Sequence, residues 1–437
     1  MSRIAEIAAA LAGYDPRALR VDAVHDFLAQ LAAPAAVAQS EHIALRDALD
    51  RVLAEDIVSP VSVPPHDNSA MDGFAFDGAV LDADAPTDAS LRLRVVGTAF
   101  AGTAWGGAAG AGEAVKIMTG AVMPAGLDTV VPQEFCVVES DSVSFPAKVL
   151  RRGDNRRFAG EDLMQGQPAL RRGERITPAA LGMVASLGLP MVSVMQRLRV
   201  AYFSTGDEIL SLGDVPREGA VYDSNRYTVF GLLARLGCEV IDLGLVRDDP
   251  ESLAAILRRA AHEADAIITS GGVSVGEADH TRAVMQQQGD MAFWRVAMRP
   301  GRPMAVGLIP RQDDGGSAGV LFGLPGNPVA VMVTFLAFVR PALLQMMGCN
   351  ARCSAPPPLL RATSVDAIRK KPGRTEYQRG LVQAVPGAMP EVRIAGNQGS
   401  GVLSSMVEAN GLVVLHHDQG SVAAGEAVDV MMFDGVM

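Results

Sequence analysis

Apolar residues change their spacing repeatedly along this chain. Val24, Phe27, Leu28 and Leu31 recur at the three- and four-residue steps of an amphipathic helix. Ile43, Leu45, Ala48, Leu49, Val52 and Leu53 extend that pattern into a second predicted helix, so that residues 21–57 read as helical. The Pro-rich VSPVSVPPHDN then reads as an extended boundary. From about 66 to 157 the runs shorten and alternate, at Leu91 to Val96, Ala114 to Met118, Thr129 to Val131 and Val143 to Phe145, which predicts a small β domain. An arginine-rich stretch follows over 151–175, and Thr177-Pro178 opens a helix up to Gly188.

From 197 onward short apolar runs alternate with helical patterns. Asp223 or Ser224 is placed to cap a helix whose inner face holds Tyr227, Phe230, Leu233 and Leu236, closed by Gly237. Asp249 caps another, with Pro250 first and Leu253, Ile256, Leu257 and Ala260 facing inward. Asp279 is placed to cap a third, and Asn327-Pro328 opens a fourth that runs to about Met346. Strands alternating with helices predict a parallel, doubly wound α/β sheet with right-handed crossovers. After Gly348, SAPPPLL reads as a linker into a last all-β domain with strands such as Gly411 to Leu415 and Ala427 to Met432. Gly315-Gly316-Ser317 reads as a loop tip.

A length of 437 residues corresponds to about three domains. With 49% hydrophobic and 20% charged residues the chain suits large packed cores, and no sequence run approaches the ~20 apolar residues of a membrane span. Arg3, Glu6, Asp15 and Arg17 interrupt the Ala-rich N-terminus, so no signal peptide is expected and a cytoplasmic location is the expectation. A net charge of −11 argues against nucleic acid as a partner. The four cysteines, Cys136, Cys238, Cys349 and Cys353, are too few and scattered for a disulfide framework, and Cys349/Cys353 lack a second pair for a zinc site.

The chemistry gathers at strand exits. ADAIITSGGVSVGEADHT runs from an apolar strand (Ala266, Ile267, Ile268) into Thr269, Ser270, Gly271 and Gly272, then Ser274, Gly276, Glu277, Asp279 and His280. RVAYFSTGDE likewise ends in Ser204, Thr205, Gly206, Asp207 and Glu208, and VLFGLPGNP in Pro325, Gly326, Asn327 and Pro328. Glycines allow positive φ and close backbone approach, and backbone N–H groups at such exits hold anions. Three such exits predict one crevice at the carboxyl edge of the sheet. Glu208, Asp248 of RDDP and Asp279 are candidates to converge on one Mg²⁺, which takes few carboxylates plus substrate phosphates; for Asp248 and Asp249, helix capping is the competing reading. Arg295, Arg299 and Arg302 of FWRVAMRPGRP form a local basic cluster suited to tetrahedral oxyanions, or a solvated hairpin. Asp72 of DNSAMDGFA is a ligand candidate or an Asx-turn residue. Arg379 of RTEYQRG and Ser400 of NQGSG carry no local signal that settles a role.

Taken in order, DNSAMDGFA, IMTGAVMP, AGEDL, FSTGDE, YDSNR, RDDP, SGGVSVGEAD, RPGRP and GLPGNP resemble the motifs of the MoeA family, the molybdopterin molybdenumtransferases, which includes the E domains of gephyrin and of plant molybdenum insertases. The resemblance runs from about residue 21 to the C-terminus. It implies an elongated discontinuous domain (21–65 and 159–196), an inserted β-rich domain (66–158), an α/β domain of molybdopterin adenylyltransferase type (197–350) and a C-terminal β-barrel (351–437). It implies a homodimer with the active cleft between subunits, and contact with a molybdopterin adenylyltransferase and downstream maturation proteins. The implied reaction inserts molybdenum from molybdate into adenylated molybdopterin with Mg²⁺, releasing AMP, through attack of a molybdate oxygen on the adenylyl phosphorus. A non-catalytic dimeric scaffold, or a paralogue that binds molybdopterin, is the alternative.

By matching motifs, the resemblance assigns function to Asp72, Asp162, Glu208, Asp248 and Asp279, with Asp279 foremost. It gives molybdate to Arg299, Arg302, Arg379 and Ser400, and has Pro325 and Pro328 shape the cleft loop. Arg295, Arg299 and Arg302 stand where many members carry Lys, and His280 where a Tyr is common.

Overall fold

The computed structural model describes residues 1–81, 89–272, 279–311 and 318–437, without the side chains of Asp279 and His280. Ser274, Gly276, Glu277 and the loop tip Gly315-Gly316-Ser317 lie outside the described residues.

Near the N-terminus, helix Val21–Ala32 buries Val24, Phe27, Leu28 and Leu31. The expected second helix is not formed. Ser40–Ala44 is a strand, Leu45–Asp47 one 3-10 turn, and Val52 and Leu53 make isolated bridges. Tertiary pairing overrides the helical spacing: Ser40–Ala44 lies antiparallel to Met191–Met195, and Ile43, Leu53 and Val194 share one apolar cluster with Ile176 and Val184. Further pairings, Ile57–Val58 with Pro168–Leu170 and Asn68–Ser69 with Arg156–Arg157, hold the two chain segments together on either side of an intervening six-stranded sheet. That sheet contains Gly73–Phe76, Ser90–Ala99, Glu113–Ile117, Thr129–Pro132, Val137–Glu139 and Ser142–Pro146.

The central domain starts with β1 (Arg199–Thr205), α1 (Ser224–Leu236), β2 (Glu239–Val246), α2 (Pro250–Glu263), β3 (Ala266–Ser270) and α3 (Asp279–Gln288). It continues through β4 (Asp290–Arg295), β5 (Pro303–Pro310), β6 (Ala318–Leu324) and α4 (Pro328–Met346), the last with a π-helical turn at Phe335–Val339. The sheet order is β2-β1-β3-β6-β5-β4, parallel from β2 to β6 and antiparallel at β5 and β4. Alternate residues of its apolar runs go to opposite faces. Tyr202, Ile268 and Phe322 pack toward α1 and α4, whereas Phe203, Ile267 and Leu321 pack toward α2 and α3.

Asp223 caps α1 by accepting the Arg226 amide at 3.1 Å, and Asp249 caps α2 by accepting that of Ser252 at 2.9 Å. On α1 the inner face is Val229, Leu232, Leu233 and Leu236; Tyr227 and Phe230, expected inside, are each 49% exposed. The 19-residue α4 has a mean hydropathy of 1.8, so it matches a membrane span in length and composition where the sequence reading found none. It is 89% buried within the protein and acts as the core helix.

The C-terminal region closes into a five-stranded barrel: Thr375–Gln383 pairs with both Glu391–Ile394 and Gly411–Leu415, and the ring is completed through Leu360–Ser364 and Ala427–Met432. Met298–Arg299, between β4 and β5, runs beside Thr375–Glu376 and fixes the barrel to the carboxyl edge of the central sheet.

Phe322 is fully buried at the centre of that sheet, so Phe322→Ala is expected to cost about 3–5 kcal/mol. Val407→Ala, at a site 84% exposed, is expected to stay within about 0.5 kcal/mol. Denaturant midpoints of the intact chain check the difference.

Candidate active site

The exits of β1, β3 and β6 meet at one cleft of about 520 Å³, whose lining includes Glu208, Gly271, Gly272, Arg299, Arg302 and Ser400. Backbone packing there is tight. A Cβ on Gly271 would stand 2.4 Å from the Thr205 carbonyl oxygen, and one on Gly272 2.8 Å from a Thr281 methyl. Both residues have positive φ, so glycine is required at each. A Cβ on Gly326 would stand 4.0 Å from the Gly271 Cα, so PGNP lies beside SGG.

The polar groups divide into those already spent and those still open. Ser204 and Ser270 are buried, and both hydroxyls bond the Tyr202 phenol, at 2.9 and 2.6 Å. Burial raises the Tyr202 phenol well above its ordinary value, so this network stays neutral. Thr205 Oγ1, Asp223 Oδ2 and Asn225 Oδ1 are buried without a hydrogen-bond partner among the described residues. Such groups carry a desolvation cost that a ligand relieves. Asn225 donates its amide to the Gly326 carbonyl at 2.7 Å, which ties YDSNR to the cleft loop.

Positive charge faces this edge. Arg299 and Arg302 are exposed and have no ion-pair partner among the described residues, although the chain as a whole carries −11. The barrel adds Arg374, which also lines the cleft and is held by a two-point contact with buried Glu376, at 2.8 Å from Nε and 2.7 Å from Nη2. Arg295 is exposed but does not line the cleft.

Arg379 is fully buried and does not line the cleft. Its Nε donates to Ser405 Oγ at 3.0 Å, and its Nη2 to the carbonyls of Asn397 and Gly399 at 3.1 and 2.9 Å. It thereby fixes the NQGSG loop that presents Ser400. Burial, then the neighbouring Arg299, draws its guanidinium below the ordinary value. The Ser400 carbonyl accepts the Val329 amide at 3.1 Å and locks this loop to the first turn of α4.

The acidic candidates are dispersed. Glu208 lines the cleft. Asp248 is exposed and accepts the Thr281 hydroxyl at 3.1 Å, which links RDDP to the first turn of α3. Asp279 opens α3, and its side chain lies outside the description. Asp72 is exposed in the inserted sheet, where Thr119 donates both its amide and its hydroxyl at 2.7 Å; these bonds, the amide first, hold its carboxyl low. Asp162 is exposed beside Val63. Neither Asp72 nor Asp162 lines this cleft.

Sequence reasoning missed Arg374 and Gln398 as lining residues and Asn225 as a loop clamp. All three fall within quoted motifs. Arg374 precedes its strand, and only the barrel pairing with Met298–Arg299 turns it toward the site.

Family models match nearly the whole chain. Residues 19–188 match the MoeA N-terminal region (domain I and II), 201–345 a probable molybdopterin binding domain, and 361–433 the MoeA C-terminal region (domain IV). The chain is 39% identical to a molybdopterin molybdenumtransferase of Haemophilus influenzae, over 91% of this chain and 95% of that one. The chain belongs to the MoeA family. A namesake from Synechococcus elongatus is 35% identical, over 89% of this chain and 94% of that one. Among solved structures, a molybdopterin biosynthesis MoeA protein from Pyrococcus horikoshii OT3 superposes with a TM-score of 0.76 at 26% identity, covering 95% of this MoeA chain and all of that one.

Arg379→Lys keeps the charge but forfeits the fork. We expect amide exchange at Gly399 and Gly401 to accelerate about tenfold or more, the equivalent of one ~1.4 kcal/mol interaction. Unchanged exchange by mass spectrometry would remove Arg379 as the loop's anchor.

Proposed function

We propose that this MoeA-family chain is a transferase of molybdenum cofactor synthesis whose cleft binds adenylated molybdopterin and molybdate, inserts the metal and releases AMP. One observation carries the reading. Three arginines (Arg299, Arg302 and Arg374) converge on the glycine exits of an α/β sheet in a chain that is otherwise acidic. Arginine forks and glycine-loop amides suit a diphosphate and a tetrahedral oxyanion held side by side.

In this reading the SGG and PGNP backbone positions the phosphates, and Arg299 and Arg302 hold molybdate against them with Ser400 opposite. Negative charge that develops as the phosphoanhydride is cleaved falls on donors already in place, with no reorganisation at that moment. Arg374, fixed by Glu376, keeps its geometry through the reaction. Arg379 acts through the loop it holds.

Among the described residues no group of three His, Cys, Asp or Glu side chains is arranged to hold a metal alone. In this reading Glu208, the acidic residue that lines the cleft, would supply a carboxylate to Mg²⁺ shared with the substrate phosphates, with Asp248 as the neighbouring candidate. When bound, the ion neutralises diphosphate charge.

In this reading Asp72 and Asp162, exposed and outside this cleft, would serve the cleft of a second copy in a homodimer. Leu212, Val215, Val221, Tyr227 and Phe230 are exposed apolar residues available to that contact. A cytoplasmic site of action accompanies this reading.

AMP release from adenylated molybdopterin, with and without molybdate, tests the proposal. Arg302→Ala is expected to raise the KM for molybdate about ten- to a hundredfold, the equivalent of a charged hydrogen bond worth ~1.5–3 kcal/mol. The KM for the adenylated substrate is expected to change less than about threefold, and Arg302→Lys to recover most of the loss. A molybdate dependence that ignores Arg302 would contradict the assignment.

A further inference from the structure

Cys349 and Cys353 lie away from the cleft, and the mechanism uses neither. They flank the break after α4, where Gly348 takes a φ of +84° and a short helix restarts at Ala351–Ser354. In an unbroken helix, residues four apart keep their Cβ atoms about 5–6 Å apart, too far for a disulfide. The break brings the two sulfurs to 2.8 Å. Asn350 fixes the turn by accepting the Cys353 amide at 3.0 Å, and its own amide is bound by the Gly173 carbonyl at 2.9 Å. Cys349 is 8% exposed, whereas Cys353 is only half-buried.

Two cations attend the pair, Arg340 from α4 and Arg175 from the segment that follows Gly173. Arg340 has no carboxylate partner among the described residues. One Nη2 contact reaches the Gly435 carbonyl at 3.3 Å, and its buried Nε has no partner among the described residues. Arg175 makes a long 3.4 Å contact with exposed Asp50. A buried guanidinium N–H without an acceptor is costly, and a thiolate next to it lowers that cost. The hydrogen bond shared with Cys349 first, then Arg175 and Arg340, bring the Cys353 thiol down to about 7, while the Cys349 thiol is pushed up. The remaining cysteines have the opposite environment: burial raises Cys136 to about 11 and Cys238 to about 12.

We propose that Cys353 is a peroxide-reactive thiolate and Cys349 its resolving thiol, together closing a reversible disulfide. The Cys353 sulfur attacks one peroxide oxygen. An S–O bond forms, the O–O bond breaks, and the departing hydroxide is neutralised by the proton that the Cys353 thiol released to the buffer on ionising. Cys353 is oxidised to the sulfenic acid and the peroxide is reduced. The Cys349 sulfur then displaces the sulfenic hydroxyl, which leaves as water with the Cys349 proton, and the S–S bond forms. The product lies where α4 hands the chain to the barrel linker, clamped from the other side by Gly173.

The test uses the intact chain and needs no turnover assay. Iodoacetamide labelling across pH, read by peptide mass spectrometry, is expected to modify Cys353 first, with a midpoint near 7. A small excess of hydrogen peroxide is expected to join two tryptic peptides, because Arg352 lies between the cysteines, and dithiothreitol is expected to separate them. In Cys349→Ser the cross-link is expected to disappear, with dimedone trapping a sulfenic acid on Cys353. Arg340→Gln is expected to slow labelling of Cys353 about three- to tenfold. A Cys353 midpoint at the ordinary thiol value of about 8.5 would overturn the proposal, as would Cys136 or Cys238 reacting first, or peroxide leaving the two peptides unlinked.

Discussion

The close approach of three strand exits governs the rest of this structure. Gly271 and Gly272 press against Thr205 and Thr281 with no room for a Cβ, and Gly326 closes the contact from the β6 side. Parallel strands put these exits at one edge, and the helices that follow them aim their first turns back at it. The Arg299–Pro303 turn and the barrel are then held against the same edge through the pairing of Met298–Arg299 with Thr375–Glu376. Removing any one contact would open a gap between the loops that line the cleft, so the shape of the cleft and the packing beneath it are one constraint seen twice.

Charge explains why the site needs so much scaffolding. Arg299, Arg302 and Arg374 repel one another, and Arg299 also burdens buried Arg379. The fold answers with the Arg374–Glu376 fork and with three hydrogen bonds from Arg379 into its loop and Ser405. Ser204 and Ser270 take no part in this; their hydroxyls close on Tyr202 and stiffen the strand ends beneath the cleft.

Much of this was legible in the sequence, for identifiable reasons. The doubly wound sheet showed in apolar runs that end in glycine, and its caps showed in Asp223 and in Asp249-Pro250. The ordered motifs gave the family. The region of 43–53 was misread because helical spacing there served a strand whose partner, Met191–Met195, lies far along the chain. Tyr227 and Phe230 were misplaced because periodicity cannot tell a buried stripe from an exposed apolar one. Arg379 and Arg374 sit five residues apart in one motif, and only barrel closure decides which of them turns to the cleft.

The central claim is that a tetrahedral oxyanion binds among Arg299, Arg302, Arg374 and Ser400. Crystals of the protein soaked in tungstate, with the metal located by its anomalous scattering, test it most directly. The account predicts a peak in this cleft. A second arginine-lined cavity of about 1050 Å³ lies at the opposite edge of the sheet, beside Arg51, Arg197 and Arg199. Tungsten bound there, with none between Arg299 and Arg302, would contradict the account.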